Sequence, residues 1–138
     1  FKKVTNGALD ISAELTPSSG IYSSYITKKI TLQNTSTSIK VLLDAIRYRG
    51  YAGEYSDIKV FIKTYSDGNL GSFDNMNYVQ VPSVSYPTSS TSNEYKSFDF
   101  ELKNLPEFKE FSIKICMISN DQTNIPLIRN FRAIALAV

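Results

Sequence analysis

Apolar residues along this chain fall on alternate positions. Ile26, Lys28, Ile30 and Leu32 share one face, with Thr27, Lys29 and Thr31 on the other. In Ile58-Lys59-Val60-Phe61-Ile62-Lys63 the even positions are apolar and two of the three odd ones are Lys. Phe98, Phe100 and Leu102 alternate with Asp99 and Glu101, and Phe111, Ile113, Ile115 and Met117 with Ser112 and Lys114. A repeat of two is the signature of strands with one face buried and one solvated. It predicts strands at 25–34, 38–47, 57–65, 77–82, 94–103, 110–119 and 128–138, and a weaker one over 8–15. Val41-Leu42-Leu43-Asp44-Ala45-Ile46 has some helical character, but it is short, and Ile39, Val41 and Leu43 also fit a strand.

Between these runs Ser, Thr and Asn cluster, residue types that bond their own backbone and favour loops. Thr35–Ser38 reads as a hairpin turn, Ser66-Asp67-Gly68-Asn69 as a turn, and Asn104-Leu105-Pro106-Glu107 as a corner. Pro82 to Asn93, polar and with two prolines, reads as a mobile loop. Seven or eight short strands separated by turns predict an all-β fold, an antiparallel two-sheet β-sandwich of jelly-roll type. The last run, Ala133 to Val138, alternates small and large residues and reads as a closing core strand.

The chain has 138 residues, of which 42% are hydrophobic, enough for a single domain over 1–138. It starts at Phe1 and reads as part of a longer protein, with no visible signal peptide or membrane span. Fifteen basic and 13 acidic residues leave a net charge of +2, so no nucleic-acid partner is expected, and without a long apolar run no membrane partner is expected. With no His, the chain itself cannot supply a Ser-His-Asp triad, a Cys-His pair or a His-ligated metal. A single Cys excludes an internal disulfide, and Cys116, inside an apolar run, reads as a small buried hydrophobe.

The remaining chemistry is thin. Asp99 and Glu101 lie about 7 Å apart by strand rise and read as a solvated sheet face, not a catalytic pair. Asp67-Gly68-Asn69 with Asp74 and Asn75 offers hard oxygens without the spacing of a calcium loop. No glycine pattern forms a phosphate cradle. Lys28, Lys29, Lys59 and Lys63 read as solvated positions on strand faces. These readings predict no cofactor, no metal and no catalytic residue. The exception is Arg47–Tyr55, which places three Tyr and two Arg in one connection between strands. Tyr offers large contact area at low entropic cost, and Arg pairs with carboxylate or phosphate. Tyr48, Arg49, Tyr51 and Tyr55 are therefore the candidate contact residues for a partner or a glycan, unless they fold back to seal the end of the sandwich.

Tyr25-Ile26-Thr27-Lys28-Lys29-Ile30-Thr31-Leu32 and Leu43-Asp44-Ala45, with further segments in the same order, resemble the YITR-x-V-T-L and L-D-A of virion structural proteins of contractile-tailed marine phages such as cyanophages. Asp57-Ile58-Lys59-Val60 resembles the start of their D-I-K-V-x-Y-K strand, and Phe73 to Val79 an F-x-x-x-x-Y/W-V segment. Phe108-Lys109-Glu110-Phe111-Ser112-Ile113-Lys114-Ile115 looks like F-x-x-F-x-I-K-I. Ile125 to Ala135 resembles their closing V-P-R-I-K-D-F/L-R-A-I-A, with Leu127 where the family tends to have Arg. The family usually has a short turn after L-D-A where this chain has the Tyr-rich connection. The likeness spans roughly residues 22–138. It implies a non-enzymatic domain located in the virion, an interaction module of a tail, baseplate or fibre. Its partners would be other virion structural proteins, with assembly as an oligomer in the particle. A carbohydrate-binding module for host surface glycan is the rival reading, weakened mildly by the absence of Trp.

Overall fold

The computed structural model describes residues 21–47, 56–66, 71–91, 93–119 and 126–137. They form β1 (Ile21–Ile26), β2 (Ile30–Ser36), β3 (Ser38–Ile46), β4 (Ser56–Tyr65), β5 (Val79–Val81), β6 (Ser83–Ser85), β7 (Lys96–Leu102), β8 (Phe108–Ser119) and β9 (Leu127–Leu136). A 3-10 turn covers Phe73–Asn75. One sheet runs β1-β8-β4-β5, with β2 also paired to β8, and the other runs β6-β7-β3-β9. Every pairing is antiparallel. The fold is an all-β antiparallel two-sheet sandwich, as the alternation predicted. This strand order does not by itself establish the jelly-roll variant. The weak strand expected over 8–15 lies outside the described residues.

The core follows the two-residue period. Ile39, Val41, Leu43 and Ala45 of β3, with Phe98 and Phe100 of β7, meet Ile58, Val60 and Ile62 of β4 and Phe111, Ile113 and Ile115 of β8. Burying each large apolar side chain contributes about 1.5–3 kcal/mol. The helical character of residues 41–46 gives way to this pattern, because β3 pairs on both sides, with β7 and β9.

Three expectations need correction. Thr35–Ser38 is not a hairpin: β2 pairs with β8, whereas β3 pairs with β7 and β9, so the chain changes sheets there. The return crossing at Asn104 lies beside it, where Leu105 N–H donates to Thr37 C=O at 2.8 Å. The predicted strand 25–34 is two strands broken at residues 27–29. At the break, Thr27 N–H donates to Ile113 C=O and Thr27 Oγ1 accepts from Ile113 N–H, so a hydroxyl replaces a ladder carbonyl. The segment read as a mobile loop after Pro82 contains β6 and is fastened further along at Ser89.

β9 closes the second sheet with its small residues inward. Ala133 and Ala135 pack on the core, while Ile134 and Leu136 are 42% and 39% exposed. The register shifts between the partners of Leu42 and Asp44, which makes a bulge at Asn130, in the left-handed region at φ 55°. Asn tolerates that conformation, and here its amide donates to Asp44 Oδ2 at 2.8 Å. That bond, with Ser97 and the nearby Arg129 and Arg132, holds the Asp44 carboxyl below its ordinary range despite some opposing desolvation.

Candidate functional site

Tyr48, Arg49, Tyr51 and Tyr55 lie outside the described residues. Both ends of their connection are described, and they are tied together. Arg47 follows directly on β3 with a side chain only 6% exposed, and Asp57 stands at the start of β4. Arg47 Nη2 donates to Asp57 Oδ1 at 3.2 Å, and Nη1 donates to Thr88 Oγ1 at 2.7 Å. The guanidinium lies 4.1 Å from the centroid of the Tyr86 ring. Two backbone-centred bonds complete the knot: Ser89 N–H to Arg47 C=O at 2.8 Å, and Arg47 N–H to Ser89 Oγ at 3.2 Å. Arg is suited to this position because one planar group serves several acceptors and stacks on a ring.

Beside the knot, β4 loses a neighbour. β5 pairs only with Val60, Phe61 and Ile62, and then Pro82 turns the chain into the other sheet. The start of β4 would be left with an open backbone edge. Tyr86 fills part of it: its Oη accepts from Ile58 N–H at 2.9 Å and donates to Asp57 Oδ1 at 3.1 Å. Its ring is held edge-on against Phe98 and Phe100. Burial, reinforced by the Asp57 charge, pushes the Tyr86 phenol above its ordinary value, against the opposing pull of Ile58 N–H and Arg47. What remains of the gap is a notch of about 290 Å³. The sequence signal for it was an aromatic residue between two prolines in a polar stretch.

A second concavity lies on the opposite side of the sandwich. β1 and β9 end their sheets, each pairing on one side only among the described residues. Between them runs an apolar groove of about 440 Å³, lined by Tyr25, Ile115, Met117, Leu127, Ile128 and Phe131. Tyr25 and Phe131 span it as an edge-to-face pair with centroids 6.4 Å apart. Tyr25 and Leu127 are each at least half exposed at 50% and 53%.

On the outer face of the first sheet, two lysines expected in solvent are buried, with Lys63 7% and Lys114 1% exposed. Rings and ammonium groups alternate there. Lys114 lies 4.8 Å from the centroids of both Phe61 and Tyr78, and Lys63 lies 5.1 Å from Tyr78 and 4.7 Å from Phe73. Lys29 follows at 5.8 Å from Phe73 and pairs with Glu110 at 3.1 Å. This ladder straps residues 73–78 across the sheet. Burial lowers the Lys63 pKa, Lys114 adds to the effect, and Asp74 opposes it.

Cys116 is buried, as its apolar run predicted. Asp99 and Glu101 sit on the outer face of β7, where Asp99 pairs with Lys40 at 3.5 Å. Among the described residues, no three His, Cys, Asp or Glu side chains gather as a metal centre would require. The candidate calcium turn at Asp67–Asn69 lies outside them. Among known proteins, no family model, curated protein or solved structure matches the chain.

Proposed function

We propose that this chain is a non-enzymatic structural domain of a phage particle, an interaction module in a tail, baseplate or fibre. The phage assignment rests on the ordered resemblance across residues 22–138. The observation that carries the interaction role is the groove between β1 and β9. Two strand edges flank an apolar channel there, an arrangement suited to accepting an extended segment or a second sheet edge. The experiment is a photo-cross-linking residue placed at Leu127 in assembled particles. A covalent adduct with another virion protein supports the reading, and recovery of the unlinked chain alone from intact particles counts against it.

A carbohydrate-binding module is the second reading. It is favoured by the notch at Asp57, which hydrogen-bonding side chains border. Binding of a host surface glycan would place the domain at the recognition end of the same machine.

A further inference from the structure

We infer that β9 is the edge through which two copies of this chain join, antiparallel and related by a two-fold axis, so that one sheet continues through both. Among the described residues the two sheets end on β1, β5, β6 and β9. β5 and β6 have three residues each, too few to template a partner. β9 has ten, against six in β1, and it contains neither Pro nor Lys, which commonly blunt an open edge.

The run past the bulge is suited to pairing. Leu136 C=O points toward the β3 side, where it accepts from Thr37 N–H at 2.9 Å. Backbone groups of successive strand residues point to opposite edges, so those of Phe131, Ala133 and Ala135 point to the open one. Side chains there offer little resistance. Ala133 and Ala135 are small, and Ile134 and Leu136 are apolar and exposed at 42% and 39%. Arg129, on the other side of Asn130, is held over the Tyr95 ring, 3.7 Å from its centroid. Arg132 is then the one charge between Phe131 and Leu136.

That charge narrows the register, because like charges directly opposite destabilise a pair. A two-fold centred on Arg132 would set it against the partner's Arg132. Centred on Ala133, the pairing sets Arg132 beside the partner's Ile134, whose apolar surface the arginine stem can cover. Phe131 then faces the partner's Ala135, large against small. Centred on Ile134, it sets Arg132 beside the partner's Leu136. In both registers β9 complements itself. The groove adds to the contact, since Leu127 and Phe131 line it from β9 and a second copy on this edge comes against that apolar wall. The contact is short, which predicts a dimer that dissociates on dilution.

The test is sedimentation velocity of the intact chain across a concentration series, with amide hydrogen exchange on the same samples. The chain should pass from monomer to dimer as concentration rises, and the Phe131, Ala133 and Ala135 amides should become protected only in the dimer. Ile134→Lys sets a cation against the partner's Arg132 in one register and against its own copy in the other. Its dimer should be at least about tenfold weaker, with a melting temperature near the parent's because the position is exposed. A chain that stays monomeric at every concentration overturns the pairing. So does a dimer that Ile134→Lys leaves intact. Protection of those amides that is equal at every concentration means the edge is covered within one chain, and overturns it too. The pairing is a property of the chain alone, so none of these results touches the phage reading, which particle labelling tests.

Discussion

Arg47 and Asp57 meet at 3.2 Å across the two ends of the Tyr-rich connection. Only the guanidinium is deeply buried; the Asp57 side chain is 29% exposed. The two partners are therefore unequal. Asp57→Ala strands a buried cation whose Nε has no partner among the described residues, and should cost about 3 kcal/mol. Arg47→Ala leaves a carboxylate that water can reach and should cost less. Urea unfolding of both variants checks the order.

Tyr86→Phe keeps the ring and removes the hydroxyl that serves Ile58 N–H and Asp57. With a backbone donor left unpaired, the expected loss is about 1–3 kcal/mol. The pH dependence has a definite sign. The folded phenol titrates above the unfolded value of 10.0, so its contribution is fully present below that pH. It is lost as pH rises from there through the folded pKa. Melting curves across alkaline pH should show Tyr86→Phe lacking that component of the decline.

Lys63 has the opposite slope. Its folded pKa lies below 10.5, so between the two values the unfolded chain binds more protons and stability from this group rises with pH. Lys63→Met should abolish that rise. Phe73→Ala removes the ring under Lys63 and Lys29 and should cost about 1 kcal/mol. Faster hydrogen exchange confined to residues 73–78 would identify the strap as the element released.

The alternation that located the strands did not reveal this ladder. A period of two separates the faces of a strand but does not say whether the polar face meets water. Lys63 and Lys114 read as solvated because nothing local marks Phe73 and Tyr78 as their cover. The hairpin expected at Thr35–Ser38 failed for a related reason. A short polar turn looks alike whether it joins paired strands or crosses between sheets. The Arg47 knot is half legible: the Tyr-rich connection stands out in the sequence, but the fastening of Arg47 by Tyr86, Thr88 and Ser89 depends on residues some forty positions away.

The bulge in β9 makes a local prediction. Asn130→Gly relieves the positive φ but loses the bond to Asp44, and should lie close to the parent. Asn130→Val must adopt the left-handed region with a branched side chain and should cost about 2 kcal/mol. Thermal unfolding of the pair separates conformational strain from the lost bond.

The groove between β1 and β9 predicts a variant that folds but does not assemble. Leu127→Arg alters an exposed position and should change stability by no more than about 0.5 kcal/mol. Its incorporation into particles should nevertheless fall sharply, as measured by the amount of the chain recovered in purified virions.

The proposal that this is an interaction domain of a phage particle stands or falls on immunogold electron microscopy with antibodies raised against the domain. Gold should decorate the tail, the baseplate or a fibre of purified particles. Particles that stay unlabelled both intact and after mild dissociation, with the antibody shown to bind the free chain, would contradict it.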